Sequence, residues 1–236
     1  MQRWIAAIER VILPHADGQV IFFVDEIDAV MSLSFSADEF FAAIRACYNR
    51  RVESLELNRL TFCLIGVASP TDLNEDPRTT PFNIGRRIEL ADLTEDDGGD
   101  LSQGLHDDPA TARRLLRRVL HWTNGHPYLT QRLCHAMAEQ GAVSTDQDVD
   151  RVCGDLFLSE EGRDQDTNLT FARDRVLRSP EYDGVDLAGL LTLYDDILRG
   201  RRVPVDDSNP LVSILKLAGT ARVEGSSLRV RNRIYE

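Results

Sequence analysis

The sequence predicts an α/β fold: a parallel sheet with helices, then a helical region, then a small module of helices and a hairpin. Two apolar runs of strand length predict the sheet. Residues 20–24, Val-Ile-Phe-Phe-Val, end in Asp25 and Glu26, and residues 60–68 end at Ser69-Pro70-Thr71-Asp72. Both are rich in β-branched and aromatic residues, carry no charge, and suit strands buried on both faces of a parallel sheet. A helical pattern lies between them, and strand–helix–strand is the rhythm of a parallel layer. The third observation is a change of character at Leu93, beyond which helix punctuation dominates.

In chain order, Trp4, Ile5, Ile8, Val11 and Ile12 recur at helical spacing, and Pro14 and Gly18 close that helix. Ser36-Ala37-Asp38-Glu39 is a capping box that opens a helix to about Arg50, with Phe40, Phe41, Ile44 and Cys47 as its buried stripe. Arg87-Ile88-Glu89-Leu90 reads as a short third strand. Thr94 to Asp97 cap a helix, Pro109 begins another, Asn124-Gly125 ends it and Pro127 opens the next. Residues 146–157 form one more helix, while the charged stretch 160–168, with Gly162, reads as a linker. Helices at about 169–178, 185–199 and 210–217 precede two strands, Thr220–Glu224 and Leu228–Arg231, a winged-helix pattern. The predicted domains are 1–92, 93–167 and 168–236.

Composition narrows the function classes. With 42% hydrophobic and 28% charged residues, the 236-residue chain is of ordinary globular type. No apolar stretch approaches the roughly 18–20 residues that span a bilayer. Met1-Gln-Arg-Trp lacks the apolar core of a secretion signal, so a cytoplasmic location is predicted. Cys47, Cys63, Cys134 and Cys153 are far apart in apolar contexts and read as buried thiols, with no metal site. The net charge of −12 opposes general nucleic-acid binding. It is concentrated in residues 1–167, which sum to −13, whereas residues 168–236 sum to +1.

The chemistry centres on Asp25 and Glu26. Open α/β sheets bind ligands at the carboxyl ends of their strands. There Asp25 can hold a Mg²⁺ through water and Glu26 can polarise an attacking water, the shape of a Walker B element. Equally, the two carboxylates can simply favour the N-terminus of a short helix, 27–31. Ser69 and Thr71, at the tip of the second strand, can reach a γ-phosphate as a sensor, or Ser69 can cap the helix led by Pro70. Arg86 and Arg87 can steady phosphate charge or pair with nearby carboxylates. A phosphate cradle needs a glycine-rich loop and a lysine. Lys216, the single lysine, has no glycine-rich approach, so no such loop is present.

Together, these stretches resemble the STAND class of signal-transduction NTPases, and most closely its AAA-like domain family. The resemblance rests on residues 23–28, 40–51, 60–73 and 80–85, on Gly125-His126-Pro127-Tyr128-Leu129-Thr130-Gln131 and on Val230-Arg231-Asn232-Arg233-Ile234-Tyr235. It implies an ATP/ADP-driven switch with Mg²⁺, built from a P-loop NTPase core, a helical lid and a winged helix. By the same resemblance Asp25 is the Walker B aspartate and metal residue, and Glu26 the catalytic glutamate. Gly125 and Pro127 are the lid's nucleotide-facing motif. It further implies that the sequence is an N-terminally truncated piece whose partners are a P-loop segment and a C-terminal effector domain or protein. ATP binding by the piece alone is then expected to be weak. Two other readings stand beside this one: a non-enzymatic interaction scaffold, and a winged-helix DNA binder using Arg222, Arg229, Arg231 and Arg233.

Overall fold

Parallel pairing of the two apolar runs organises the first part of the chain. In the computed structural model, which describes residues 2–32, 38–66, 83–179, 184–206 and 208–236, strand β1 (Val20–Val24) pairs with β2 (Leu60–Leu64) in the register Val20↔Leu60 to Val24↔Leu64. Two units divide the chain, Met1–Glu89 and Leu90–Glu236.

The first unit packs two helices on one face of that pair. Helix α1 starts at Gln2–Ala7, continues as a π-helical turn over Ile8–Ile12 and closes with Leu13–His15, so Pro14 lies within its last turn. Helix α2 (Asp38–Asn49) buries Phe41, Ile44 and Cys47. Trp4 fills the space between helices and sheet, with ring centroids 5.4 Å from Phe40 and 5.6 Å from Phe62. Aromatic pairs at such separations add to simple area burial. Arg50 and Glu9 bridge the two helices at 2.7 Å. Arg59 ties the start of β2 to the turn before β1 by donating to Gly18 O at 2.7 Å.

Among the described residues the opposite face of β1 is exposed, which corrects the expectation of strands buried on both sides. Ile21 is 53% exposed and Phe23 68%. An all-apolar run sets no face apart, so it cannot reveal whether a second layer is packed on it. The third strand is also not formed. Residues 86–94 have no strand pairing, and Ile88 and Leu90 are exposed. Their alternation meets no neighbouring strand among the described residues to take up the backbone hydrogen bonds.

In the second unit, α3 (Gly99–Gln103), α4 (Pro109–Thr123), α5 (Pro127–Gln140) and α6 (Asp146–Cys153), with a π-helical turn at Gly154–Leu158, enclose a core that includes Leu115, Val119, Leu129, Leu133, Val149 and Phe157. Local chemistry sets the helix starts. Asp108 caps α4 by accepting from Thr111 N at 2.9 Å, and Thr145 with Asp148 forms a reciprocal capping box on α6. Arg118 grips Asp150 with two bonds of 2.6 and 2.7 Å, and Trp122 donates to the same carboxylate at 2.7 Å.

The expected linker at 160–168 is instead helical. Ser159 caps α7 (Glu160–Gln165) and Asp166 caps α8 (Thr167–Leu177). A Cβ on Gly162 would lie 2.5 Å from the carbonyl oxygens of Asp155 and Leu156. That glycine is present for close packing against the π-helical turn, not for flexibility.

Helices α9 (Leu187–Leu198) and α10 (Pro210–Leu217) lie where the sequence predicts, and their starts are capped by Asp186 and Asn209. With α8 they accompany an antiparallel sheet of order β3-β5-β4, comprising β3 (Val203–Pro204), β4 (Ala221–Glu224) and β5 (Ser227–Val230). The two-residue β3 is an addition to the expected hairpin. Leu190, Ile197, Val212, Leu215 and Leu228 form this module's core. Among the described residues no helix is long and apolar enough to cross a membrane.

Candidate functional site

Asp25 and Glu26 sit at the carboxyl end of β1, where the parallel ladder slips by one residue. Ile65 N donates to Val24 O at 2.9 Å, so a regular ladder would return a bond from Glu26 N to Ile65 O. Ile27 N makes that bond instead, also at 2.9 Å. Glu26 is therefore a bulged residue, and it has a left-handed φ of 52°. Its displaced N–H donates to Asp25 Oδ1 at 2.8 Å, while its carbonyl accepts from Ala29 N at 2.9 Å and opens the 3₁₀ turn Ile27–Ser32. Non-glycine residues pay roughly 1–2 kcal/mol for this backbone region. Both residues are exposed. The aspartate thus does hold a backbone N–H, that of Glu26, beside any ligand role.

The other residues singled out in the first unit are less informative. Ser69 and Thr71 lie outside the described residues. Arg86 is exposed, and its neighbour Arg87 pairs with Glu89 at 3.4 Å. Asn83 accepts from Arg45 of α2 at 2.6 Å, which ties the 83–85 turn to the helix.

In the second unit Gly125 and Pro127 form the junction between α4 and α5. Asn124, with φ 49°, ends α4 by donating to Leu120 O at 2.8 Å. Gly125 follows with φ +78°, and a Cβ there would stand 2.1 Å from Leu93 O. Leu93 N in turn donates to Gly125 O at 2.7 Å. Pro127 takes the first helical position of α5, behind His126 as its N-cap. The buried hydroxyls of Thr123 and Thr130 meet at 2.7 Å beneath the junction.

The His126 ring accepts from Leu129 N at 3.4 Å. Burial, and then the positive charge of Arg231, push its pKa below 6.5, against an opposing pull from Asp92. A neutral ring is what this cap needs, because only an unprotonated nitrogen can accept. Arg231 and Asp92 themselves form a two-bond pair, one bond at 2.7 Å. The sequence offers Arg231 as a nucleic-acid contact, not as the ion-pair partner of Asp92. The signal for Arg231 was its place in the 230–235 stretch, while nothing local marks Asp92.

Among the described residues no group of three or more His, Cys, Asp and Glu side chains could hold a metal ion. Mg²⁺ that arrives on phosphates needs only one or two carboxylates and keeps several waters. Asp25 and Glu26 fit that lesser requirement and do not fit a cation held by protein alone. Lys216 stands on α10 of the second unit, at a distance in sequence from both carboxylates. A pocket of about 150 Å³ lined by Arg132, Asp155, Ser159 and Asp166 is too small for a nucleotide.

The four arginines considered for nucleic acid are engaged within the protein. Arg222 and Arg229 both pair with Glu224, at 3.1 and 3.4 Å. Arg231 pairs with Asp92, and Arg233 donates to His121 O at 2.7 Å.

Comparison with known proteins adds two matches. A family model described as an AAA-like domain matches residues 4–151. A WD repeat-containing protein of Synechocystis sp. is 38% identical over 239 residues, an alignment that spans 97% of this chain and 20% of the relative. The chain therefore spans about one fifth of the length of that relative. No solved structure matches the chain.

Proposed function

We propose a regulatory function on a settled premise: the chain belongs to the AAA-like domain family. An AAA-like domain, together with a relative named for WD repeats, suggests a signalling or regulatory role. Within that role we read the chain as the Walker B half of a STAND-type ATP/ADP switch. On this reading residues 93–167 are its helical lid and residues 168–236 its winged helix. The phosphate-binding loop is carried by a segment outside these 236 residues, and a protein effector is the partner that reads the switch, in the cytoplasm.

The observation that carries this reading is the Asp25–Glu26 step at the end of a parallel strand. Strained non-glycine backbone of this kind persists where the surrounding structure holds it, and it gathers at functional sites. The open Ile21–Phe23 face supports the idea of a missing layer, since parallel sheets are ordinarily covered on both sides. In the complete switch ATP would be the phosphoryl donor, and a bound Mg²⁺ would neutralise phosphate charge. Asp25 would hold the cation through water, and Glu26 would take the proton of the attacking water. By position in the sequence alone, Ser69 or Thr71 would serve as the sensor and Arg86 would steady phosphate charge; by the family resemblance alone, Gly125 with Pro127 would be the lid motif.

Titration calorimetry of the chain with Mg²⁺-ATP tests the proposal. Without a phosphate cradle the expected result is no binding tighter than about millimolar; micromolar affinity for the chain alone would sink it. The second reading, a non-enzymatic scaffold, is favoured by the same open apolar face, a surface type that marks protein contacts. Glu26→Gln in the complete protein separates the two. For a switch the cellular output changes with this substitution, and for a scaffold it is unchanged.

A further inference from the structure

Residues 231–235, which end in a 3₁₀ turn over Arg233–Tyr235 with Asn232 as its N-cap, tie several elements of the second unit together. Beyond β5, Arg231 N donates to Thr220 O at 2.9 Å, and the Arg231 side chain leaves the module to pair with Asp92. Arg233 reaches His121 O at the end of α4. Ile234, only 8% exposed, belongs to the core of α4, α5 and α6, not to that of the helix-and-hairpin module from which it comes. Tyr235 donates to Asn168 Oδ1 of α8 at 2.9 Å, and its carbonyl accepts from Tyr194 of α9 at 2.8 Å. Asp92 is the residue before Leu93, whose backbone is clamped to Gly125. Tail, residues 92–93 and the Gly125–Pro127 junction thus form one connected locus.

Two features mark the tail as separable from the structure it grips. The Arg231–Asp92 pair keeps 22% and 29% of its side chains in solvent, so water can replace the partners when they part. Asn232 is 5% exposed, yet its Nδ2 is buried without a hydrogen-bond partner, a cost borne only while the tail is docked. The module has a second attachment through the continuous helix α8, which contacts both α9 and α10.

We propose that residues 231–235 are a releasable clasp, with Arg231–Asp92 as the catch and Ile234 as the plug, coupling the helix-and-hairpin module to the Gly125–Pro127 junction. The clasp does not depend on the nucleotide reading. When the catch opens, the tail leaves the helical core, α8 remains as the tether, and Leu93 loses its support beside Gly125.

Hydrogen–deuterium exchange on the full chain tests it, using Arg231→Gln, Asp92→Asn and the charge-exchanged pair Asp92→Arg with Arg231→Asp. In each single variant, peptides covering 228–236 and 90–95 are expected to exchange roughly fivefold faster, while α4 and α5 keep their wild-type protection. The exchanged pair is expected to bring both peptides back toward the wild-type rate. Unchanged tail exchange in the single variants overturns the catch, and so does failure of the exchanged pair to recover. Acceleration of the whole unit in step with the tail overturns the clasp as a separate element.

Discussion

The Glu26 N–H donates to the Asp25 carboxylate at 2.8 Å, and Ile27, not Glu26, returns the ladder bond to Ile65. The side chain that a Walker B reading assigns to a cation also stabilises the backbone position of its neighbour. Asp25→Ala is therefore expected to cost about 1 kcal/mol through the lost hydrogen bond alone. Glu26→Gly removes the left-handed strain but loosens the unfolded chain, for a net gain of about 0.5 kcal/mol. Urea denaturation followed by fluorescence near Trp4 reads both. In the Glu26→Gly background the cost of Asp25→Ala is expected to shrink, and an unchanged cost would show that the two residues are not coupled.

Gly125 and Gly141 offer a controlled comparison. Both have a left-handed φ, +78° and +66°, and both follow a helix, but only Gly125 has a backbone oxygen where its Cβ would go. Gly141→Ala is expected to cost about 1 kcal/mol from φ alone. Gly125→Ala adds the displacement of Leu93 and is expected to cost about 3 kcal/mol or more, lowering the thermal midpoint visibly.

Gly162 reverses a propensity rule. Alanine for glycine inside an exposed helix ordinarily stabilises by about 1 kcal/mol. Here its Cβ would strike the carbonyls of Asp155 and Leu156, so Gly162→Ala is expected to destabilise the second unit. A stabilised variant in thermal melts would mean that α7 does not pack on the π-helical turn.

Acid sensitivity has two limbs. Burial and neighbouring arginines lower the folded pKa of His126 and of His121 below 6.5. The unfolded chain then binds more protons near that pH, so stability falls as the pH drops from about 6.5 toward the folded values. His126→Asn keeps an N-cap acceptor without titrating and is expected to flatten part of this limb. Asp150 is also lowered, first by its bond from Arg118. Its contribution is complete above the unfolded value near 3.8 and disappears as the pH falls through the folded one. Asp150→Asn is expected to lose stability at neutral pH and to show a shallower decline below pH 4. Denaturant midpoints across pH 3–8 check both limbs.

Much of the architecture was legible because its signals are local. Pro109, and Asn124-Gly125 followed by Pro127, each announce a helix boundary within a few residues, and the boundaries stand there. The 160–168 stretch carried the same kind of signal, Ser159 before Glu160 and Glu161, but its charge and glycine resemble a linker more than a helix start. Arg87 to Leu90 alternates as a strand should, yet alternation cannot supply a pairing partner. For the site, the carboxylates could be placed at a strand end, whereas the one-residue slip could not. It depends on which backbone groups Ile65 meets across the sheet.

The sequence by itself determined several helix boundaries, such as those at Pro109, Gly125 and Pro127, and that two adjacent carboxylates close an apolar strand, because capping, periodicity and strand length act over a few neighbouring residues. Only the tertiary structure decided that Glu26 leaves the ladder, that Gly125 is sterically required while Gly141 is not, and that Arg231 pairs with Asp92 at a separation of 139 residues. Each of those outcomes is a contact between segments brought together by burial. No local pattern encodes which distant backbone or side chain will arrive.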